Sequence, residues 1–246
     1  MNLRTIKILA LVLVVGSAFA ACSEKKVSQE TVKYEDKKDE LPISNPNDWR
    51  IILVNREHML SKELGIQLTN ITQDAVLNMK MDSRISNSYQ DMVTAAKKDG
   101  INLFLRSSYR AVKLQQTYYD NTFKDYKTRG LSDKDASAKT LEYIQYPGAS
   151  EHHTGLALDI ISVEWQNTVK ELIAKFDTTD AFKWLDKHAT EYGFILRYPK
   201  DKENITGIKY EPWHYRYVGK EVATYLKEKG LTLEEYYKKV ESHKGK

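Results

Sequence analysis

SEHHTGLALDII, residues 150–161, runs from a polar turn through Gly155 into a short apolar strand that carries a carboxylate, Asp159. A strand with apolar residues on both sides of an acid normally excludes an unpaired charge. Asp159 therefore needs a partner: a metal ion, or a buried cation such as Arg106 or Arg110. Upstream, INLFLR (101–106) alternates Ile101, Leu103 and Leu105 with Asn102, Phe104 and Arg106, the period of a strand, and leads into the SSYR turn (107–110). Downstream, FILRY (194–198) and WHYRYV (213–218) read as strands, separated by a polar loop, Pro199 to Asn204. IILVN (51–55) is a short apolar run that suits a buried strand. Between these lie helical stretches. Ser88 to Lys98 puts Tyr89, Met92, Val93 and Ala96 on one face before Gly100, and Ala111 to Lys127 is helical. Ser132 caps a helix expected to run to Tyr146, ended by Pro147-Gly148, and Asp180 to Tyr192 is closed by Gly193. Gly230 separates two short C-terminal helices, the second opened by Thr232 with Glu235 in capping-box position. Helices and short strands mix without regular βαβ alternation, so the class is α+β: a single catalytic-sized domain with a small, mainly antiparallel sheet flanked by helices.

The charge balance of 38 basic against 34 acidic residues is too even for a nucleic-acid binder held by phosphate contacts, so nucleic acid is not an expected partner. A single cysteine excludes an intramolecular disulfide, a cysteine-rich zinc ribbon and a CxxC redox centre. Any metal site must be built from His, Asp and Glu. The first residues carry Arg4 and Lys7, and Ile8 to Phe19 is uncharged, the pattern of an export signal too short to span a bilayer comfortably. It ends Phe19-Ala20-Ala21-Cys22-Ser23, which resembles a bacterial lipobox with Phe19 in place of the usual Leu and Cys22 as the lipidated mature N-terminus; the plainer alternative is simple cleavage after Ala20 or Ala21. From there to residue 45 the chain is rich in Lys, Glu and Asp and cannot bury enough surface to offset its ordering entropy. The expected organisation is a lipoprotein signal peptide over 1–21, a flexible charged tether over 22–45 and a catalytic-sized folded domain over 46–246, acting as a monomer anchored to the outer face of the cytoplasmic membrane.

Of six histidines, two contexts stand out. One is the His152-His153 pair ahead of Asp159. The other is EPWHYRY (211–217), where strand alternation puts His214 and Arg216 on one face and Trp213, Tyr215 and Tyr217 on the other. A guanidinium beside an imidazole is electrostatically awkward unless coordination to a cation keeps the ring neutral or an anionic neighbour offsets the added charge. Two imidazoles and one carboxylate would make a three-ligand site with a fourth position open, the plan of a hydrolytic zinc centre.

SEHHTGLALD is similar to the SxHxxGxAxD motif, and EPWHYRYVG to the ExWHxRYVG motif, of zinc D-alanyl-D-alanine carboxypeptidases of the VanY type (the VanY/LdcB-like family). SSYR with Gln115 five residues beyond its arginine resembles their SGYRSxxxQ segment, with Ser108 for the usual glycine and Ala111 for the usual serine. The likeness runs in order from about Ile51 to Gly230. It implies a zinc D,D-peptidase (hedgehog-like) fold, zinc as cofactor held by His152, Asp159 and His214, and Glu211 as general base. It also implies Arg110 at the substrate carbonyl or carboxylate, and Ser107, Tyr109, Gln115, Ser150 and Trp213 as substrate contacts. Ser150 has the alternative of capping a turn, and Gln115 that of a solvated helix position. The family spacing, seven residues before the aspartate, selects His152 over His153; His58, His188 and His243 are read as exposed or capping. The implied reaction is removal of the terminal D-alanine from peptidoglycan stem peptides. Alternatives are an L,D-carboxypeptidase trimming the tetrapeptide stem, a non-catalytic wall-binding lipoprotein, and an adhesin whose His and Asp are structural.

Overall fold

Four strands form the central antiparallel sheet: β3 (Leu103–Ser107), β4 (Ala157–Ser162), β5 (Phe194–Leu196) and β6 (His214–Tyr217), ordered β3-β4-β6-β5. A separate antiparallel pair, β1 (Leu68–Thr72) and β2 (Asn78–Asp82), precedes them. The computed structural model describes residues 40–72 and 78–243. The expected signal peptide, Cys22 and most of the expected tether lie outside the described residues. Helices α1 (Ser86–Lys98), α2 (Val112–Thr128), α3 (Asp133–Thr140), α4 (Val163–Thr168), α5 (Asp180–His188), α6 (Glu203–Thr206), α7 (Lys220–Lys229) and α8 (Leu233–His243) surround the sheet. The domain is α+β, with small antiparallel sheets flanked by helices. Among the described residues, no helix is long and apolar enough to cross a membrane.

β4 lies between β3 and β6, which pair with both of its edges, and it is also buried on its faces; Leu158, Ile160 and Ile161 join Leu105, Met92, Phe176, Leu185 and Tyr215 in the main core. β5 alternates between two cores. Phe194 packs into the main one, whereas Ile195 faces a second built from α7, α8, Ile51, Leu53 and Ile43. Ile43, inside the segment expected to be tether, is buried there, and its backbone N–H and carbonyl both bond the Tyr236 hydroxyl at 2.9 Å. The packed chain therefore begins before Pro46.

Three elements depart from expectation. IILVN is buried but joins no sheet; the carbonyls of Arg50 and Ile52 accept instead from Arg216 Nη2 at 3.1 and 2.9 Å, so a guanidinium takes the place of a neighbouring strand. The helix from Ser132, whose hydroxyl accepts from the Asp135 N–H as expected, stops at Thr140. There the chain turns, and Tyr143 to Gln145 reach the wall of a cavity described below. Inside the expected polar loop 199–204, α6 begins at Glu203. The capping box of α8 is present: Glu235 N donates to Thr232 Oγ1 at 3.2 Å, and Thr232 N to Glu235 Oε2 at 2.8 Å.

Register places the site. Across β4 and β6, Asp159 is paired with His214, and across β3 and β4 Ser107 pairs with Asp159 after an irregularity at Arg106. Gly155 turns the chain into β4 with φ +66°, and a Cβ there would sit 2.9 Å from the Asp82 nitrogen, which donates to the Gly155 carbonyl. Gly155→Ala is expected to destabilise the protein by about 1–3 kcal/mol, the cost of a left-handed non-glycine residue, read as a lowered urea midpoint.

Candidate active site

Three loops converge on the Asp159–His214 pair. The SSYR turn between β3 and α2, the turn Glu151–Thr154 before β4, and Glu211–Trp213 before β6 are stitched together by hydrogen bonds. Arg110 N donates to the His152 carbonyl at 3.1 Å, and His152 Nδ1 lies 2.8 Å from the Ser108 carbonyl. A carbonyl can only accept, so Nδ1 carries the proton and Nε2 is left unprotonated, its lone pair available to a metal, 3.4 Å from Asp159 Oδ2. His214 faces the same carboxylate through Nδ1, 3.2 Å from Oδ1, while its Nε2 points at Glu151 Oε2, 3.6 Å away. Ligand atoms of His152, Asp159 and His214 all lie within 4.8 Å of one another; among the described residues no other group of three or more His, Cys, Asp or Glu side chains converges in this way.

These residues fit a zinc ion. Bonds of 2.0–2.1 Å in a tetrahedron put donor atoms about 3.3–3.5 Å apart, and the two His–Asp spacings match. Asp159 Oδ1 is buried without a hydrogen-bond partner, a costly state unless a cation completes it. All three side chains are buried. Of the two cations offered by sequence as partners of Asp159, Arg110 is the neighbour, with Nη2 at 4.0 Å, the outer limit of an ion pair. His153 is excluded as a ligand because both nitrogens are used: Nδ1 lies 2.6 Å from the Arg110 carbonyl and Nε2 accepts from Gly148 N at 3.1 Å.

Burial, with Arg110 nearby, lowers His152 to about 4, keeping it neutral. For His214 burial acts in the same sense, but the close carboxylates of Asp159, Glu151 and Glu211 outweigh it and push the ring up to about 9. Burial resists the charge of Asp159, yet the two imidazoles hold its carboxyl far below the usual range. Glu211, with Oε2 3.5 Å from His214 Nδ1, is pushed up to about 8, first by burial and then by Asp159. With no metal bound, His214 thus holds at pH 7 a proton that a cation must displace. Zinc uptake at pH 7 is expected to release at least one proton per ion; calorimetry in two buffers of different ionisation enthalpy reads it. Identical heats in both buffers would contradict a protonated His214.

Around these groups lies a cavity of about 200 Å³ whose wall includes Arg110, Gln115, Tyr143, Ser150, Tyr198 and Trp213. Arg110 is held by Gln115 Oε1 (2.9 Å) and Ser107 Oγ (3.1 Å), with its guanidinium carbon 4.9 Å from the Tyr118 ring centre. Gln115 is buried, and its amide also donates to the Gln145 carbonyl at 2.6 Å. Ser150 and Trp213 line the cavity. Ser107 and Tyr109 are not among its lining residues; the Tyr109 N–H donates to the Lys80 carbonyl in β2. His58, His188 and His243 bond locally, to Asn55, Glu191 and the Lys239 carbonyl. Sequence reading left out Glu151, which is buried against Arg197 and Arg216. The His214/Arg216 alternation offered an anionic neighbour as one of two alternatives, but nothing in it pointed to Glu151, 65 residues from Arg216.

The family model described as D-alanyl-D-alanine carboxypeptidase, VanY, matches residues 78–220. The chain belongs to the VanY family. It is 38% identical over 189 residues to a D-alanyl-D-alanine carboxypeptidase of Enterococcus faecalis, covering 77% of this chain and 66% of that protein's length. Among solved structures, it resembles a vancomycin-resistance D,D-pentapeptidase VanY variant in complex with Zn(II), with TM-score 0.66 and 37% identity over 77% of this chain and 99% of that one. It also resembles the LdcB LD-carboxypeptidase, with TM-score 0.64 and 36% identity over 80% and 89% of the two chains. The matched VanY region contains His152, Asp159, Glu211 and His214, so the converging trio and the family likeness fall on the same residues.

Proposed function

We propose that this VanY-family chain is a zinc-dependent D-alanyl-D-alanine carboxypeptidase that removes the C-terminal D-alanine from peptidoglycan stem peptides outside the cytoplasm. The observation that carries the reading is the convergence of His152, Asp159 and His214 within 4.8 Å, with the Glu211 carboxyl 3.5 Å from the last of them. Zinc held there supplies a Lewis acid that polarises the scissile carbonyl and makes water more acidic. Glu211, whose carboxyl lies 3.5 Å from His214 Nδ1, takes the proton from the attacking water and returns it to the departing amine. Arg110, fixed by Gln115 and Ser107, presents a guanidinium to the oxyanion or to the substrate's terminal carboxylate. Gln115 acts through Arg110, while Ser150 and Trp213 face the peptide. A cavity of about 200 Å³, smaller than the roughly 300–1,000 Å³ of drug-sized ligand pockets, suits the small end of a peptide.

A second reading, L,D-carboxypeptidase activity on the tetrapeptide stem, is favoured by the likeness to LdcB and would use the same ligands and base. Mass measurement after incubation with penta- and tetrapeptide stems separates them. Loss of one alanine from the pentapeptide alone is expected. Loss from the tetrapeptide would assign L,D specificity, and no loss from either would overturn both readings. The export signal and Cys22 support a lipid-anchored enzyme at the outer face of the membrane, with the charged tether providing reach to the wall.

A further inference from the structure

Glu151 is buried at the meeting point of two guanidiniums and a zinc-ligand histidine. Its Oε1 accepts from Arg197 Nε at 2.8 Å and from Arg216 Nη1 at 2.7 Å. Its Oε2 has no hydrogen-bond partner within bonding distance and faces His214 Nε2 at 3.6 Å, an atom equally unpartnered. Arg197 spends Nη1 and Nη2 on Glu234 of α8, at 2.8 and 2.5 Å. Arg216 turns Nη2 to the carbonyls of Arg50 and Ile52 and Nε to that of Tyr217. Two carboxylates and two guanidiniums thus balance in charge without using Glu151 Oε2.

A purely structural ion quartet has no reason to leave that oxygen free. Both guanidiniums converge on one oxygen of the acid, and their remaining donors are directed elsewhere. A buried carboxylate oxygen with no partner is expensive, so its orientation toward His214 Nε2 acquires a purpose. Because His214 and Arg216 are two residues apart on one strand, they share a face, and a single carboxylate can bridge them.

From this geometry we propose that Glu151 is a positioning residue for the metal site: it holds the proton of His214 on Nε2 and fixes the ring so that Nδ1 faces Asp159. This rests on the zinc reading of the His152–Asp159–His214 trio. The paired arginines hold Glu151 in turn, and through Glu234 they tie α8 to the site. A carboxylate in this position sets the tautomer and raises the basicity of a ligating imidazole.

Glu151→Gln keeps an acceptor for the guanidiniums but turns an amide N–H₂ toward His214, favouring the proton on Nδ1, the wrong atom for ligation. Zinc affinity, measured by competition with a chromogenic chelator, is expected to fall about 10–100-fold, and the visible spectrum of the cobalt(II)-loaded protein to change. Glu234→Gln removes one charge from the same quartet but leaves Oε2 and His214 facing each other; because Glu234 bonds Arg197 rather than His214, zinc affinity should stay at the wild-type level, with an unaltered cobalt spectrum. Equal zinc affinity in Glu151→Gln and wild type, or equal weakening in both variants, would overturn the proposal. Should Glu151→Gln not fold, the imidazole ¹⁵N spectrum of the zinc-loaded wild type decides: a proton on His214 Nε2 is expected, and a proton on Nδ1 would overturn it. Failure of the wild type itself to bind zinc would instead strike the reading of the trio.

Discussion

Glu211→Gln is expected to lower D-alanine release from a stem pentapeptide by about 10²–10⁴-fold, the usual contribution of a positioned proton acceptor, while zinc stays bound. The substitution keeps the shape of the side chain and removes only its capacity to take up a proton. None of the three ligand atoms belongs to Glu211. Burial already pushes this acid up to about 8 with no metal present, so replacing it with a neutral amide leaves no buried charge unbalanced. The measurement is paired: turnover by mass spectrometry and zinc content on the same sample. Undiminished turnover would remove Glu211 from the chemistry, and loss of zinc along with activity would make it a structural support for the ligands.

His214→Ala should lose both zinc and activity, with a larger effect on folding. His214 Nδ1 faces Asp159 at 3.2 Å and its Nε2 faces Glu151 at 3.6 Å, so truncation strips two buried carboxylates of one partner at once. Breaking a buried ionic contact from one side costs about 3–5 kcal/mol because the remaining charge stays in a poorly solvating interior. Chemical denaturation of the variant should show a loss on that scale relative to metal-free wild type, and added zinc should stabilise only the wild type. A variant that still binds zinc stoichiometrically would show that His214 is not a ligand.

Much of the site was legible because its residues cluster in two short motifs whose chemistry is unusual for strands. Asp159 inside LALDII and His214 beside Arg216 each demanded a partner, and β-sheet register brings the two together. The partner that escaped notice, Glu151, adjoins His152 in sequence, but its role depends on Arg197 and Arg216, 46 and 65 residues away. No local pattern encodes such a meeting. The same holds for IILVN: its apolar run correctly signals burial, but whether its backbone pairs with a strand or with a guanidinium is decided by Arg216. Gln115 shows the reverse case, since a helix position with a polar side chain gives no sign that it is buried beneath Arg110. The β1–β2 pair was missed for a simpler reason. LTNIT and NMKMD are weakly apolar and carry no strong turn signal that period alone would pick out.

The most direct test is to strip the protein with chelator, titrate zinc back, and follow D-alanine release from a stem pentapeptide by mass spectrometry. Activity should rise linearly from zero and break at one zinc per chain, the stoichiometry of a single His-Asp-His centre. Full activity before any zinc is added would contradict the account.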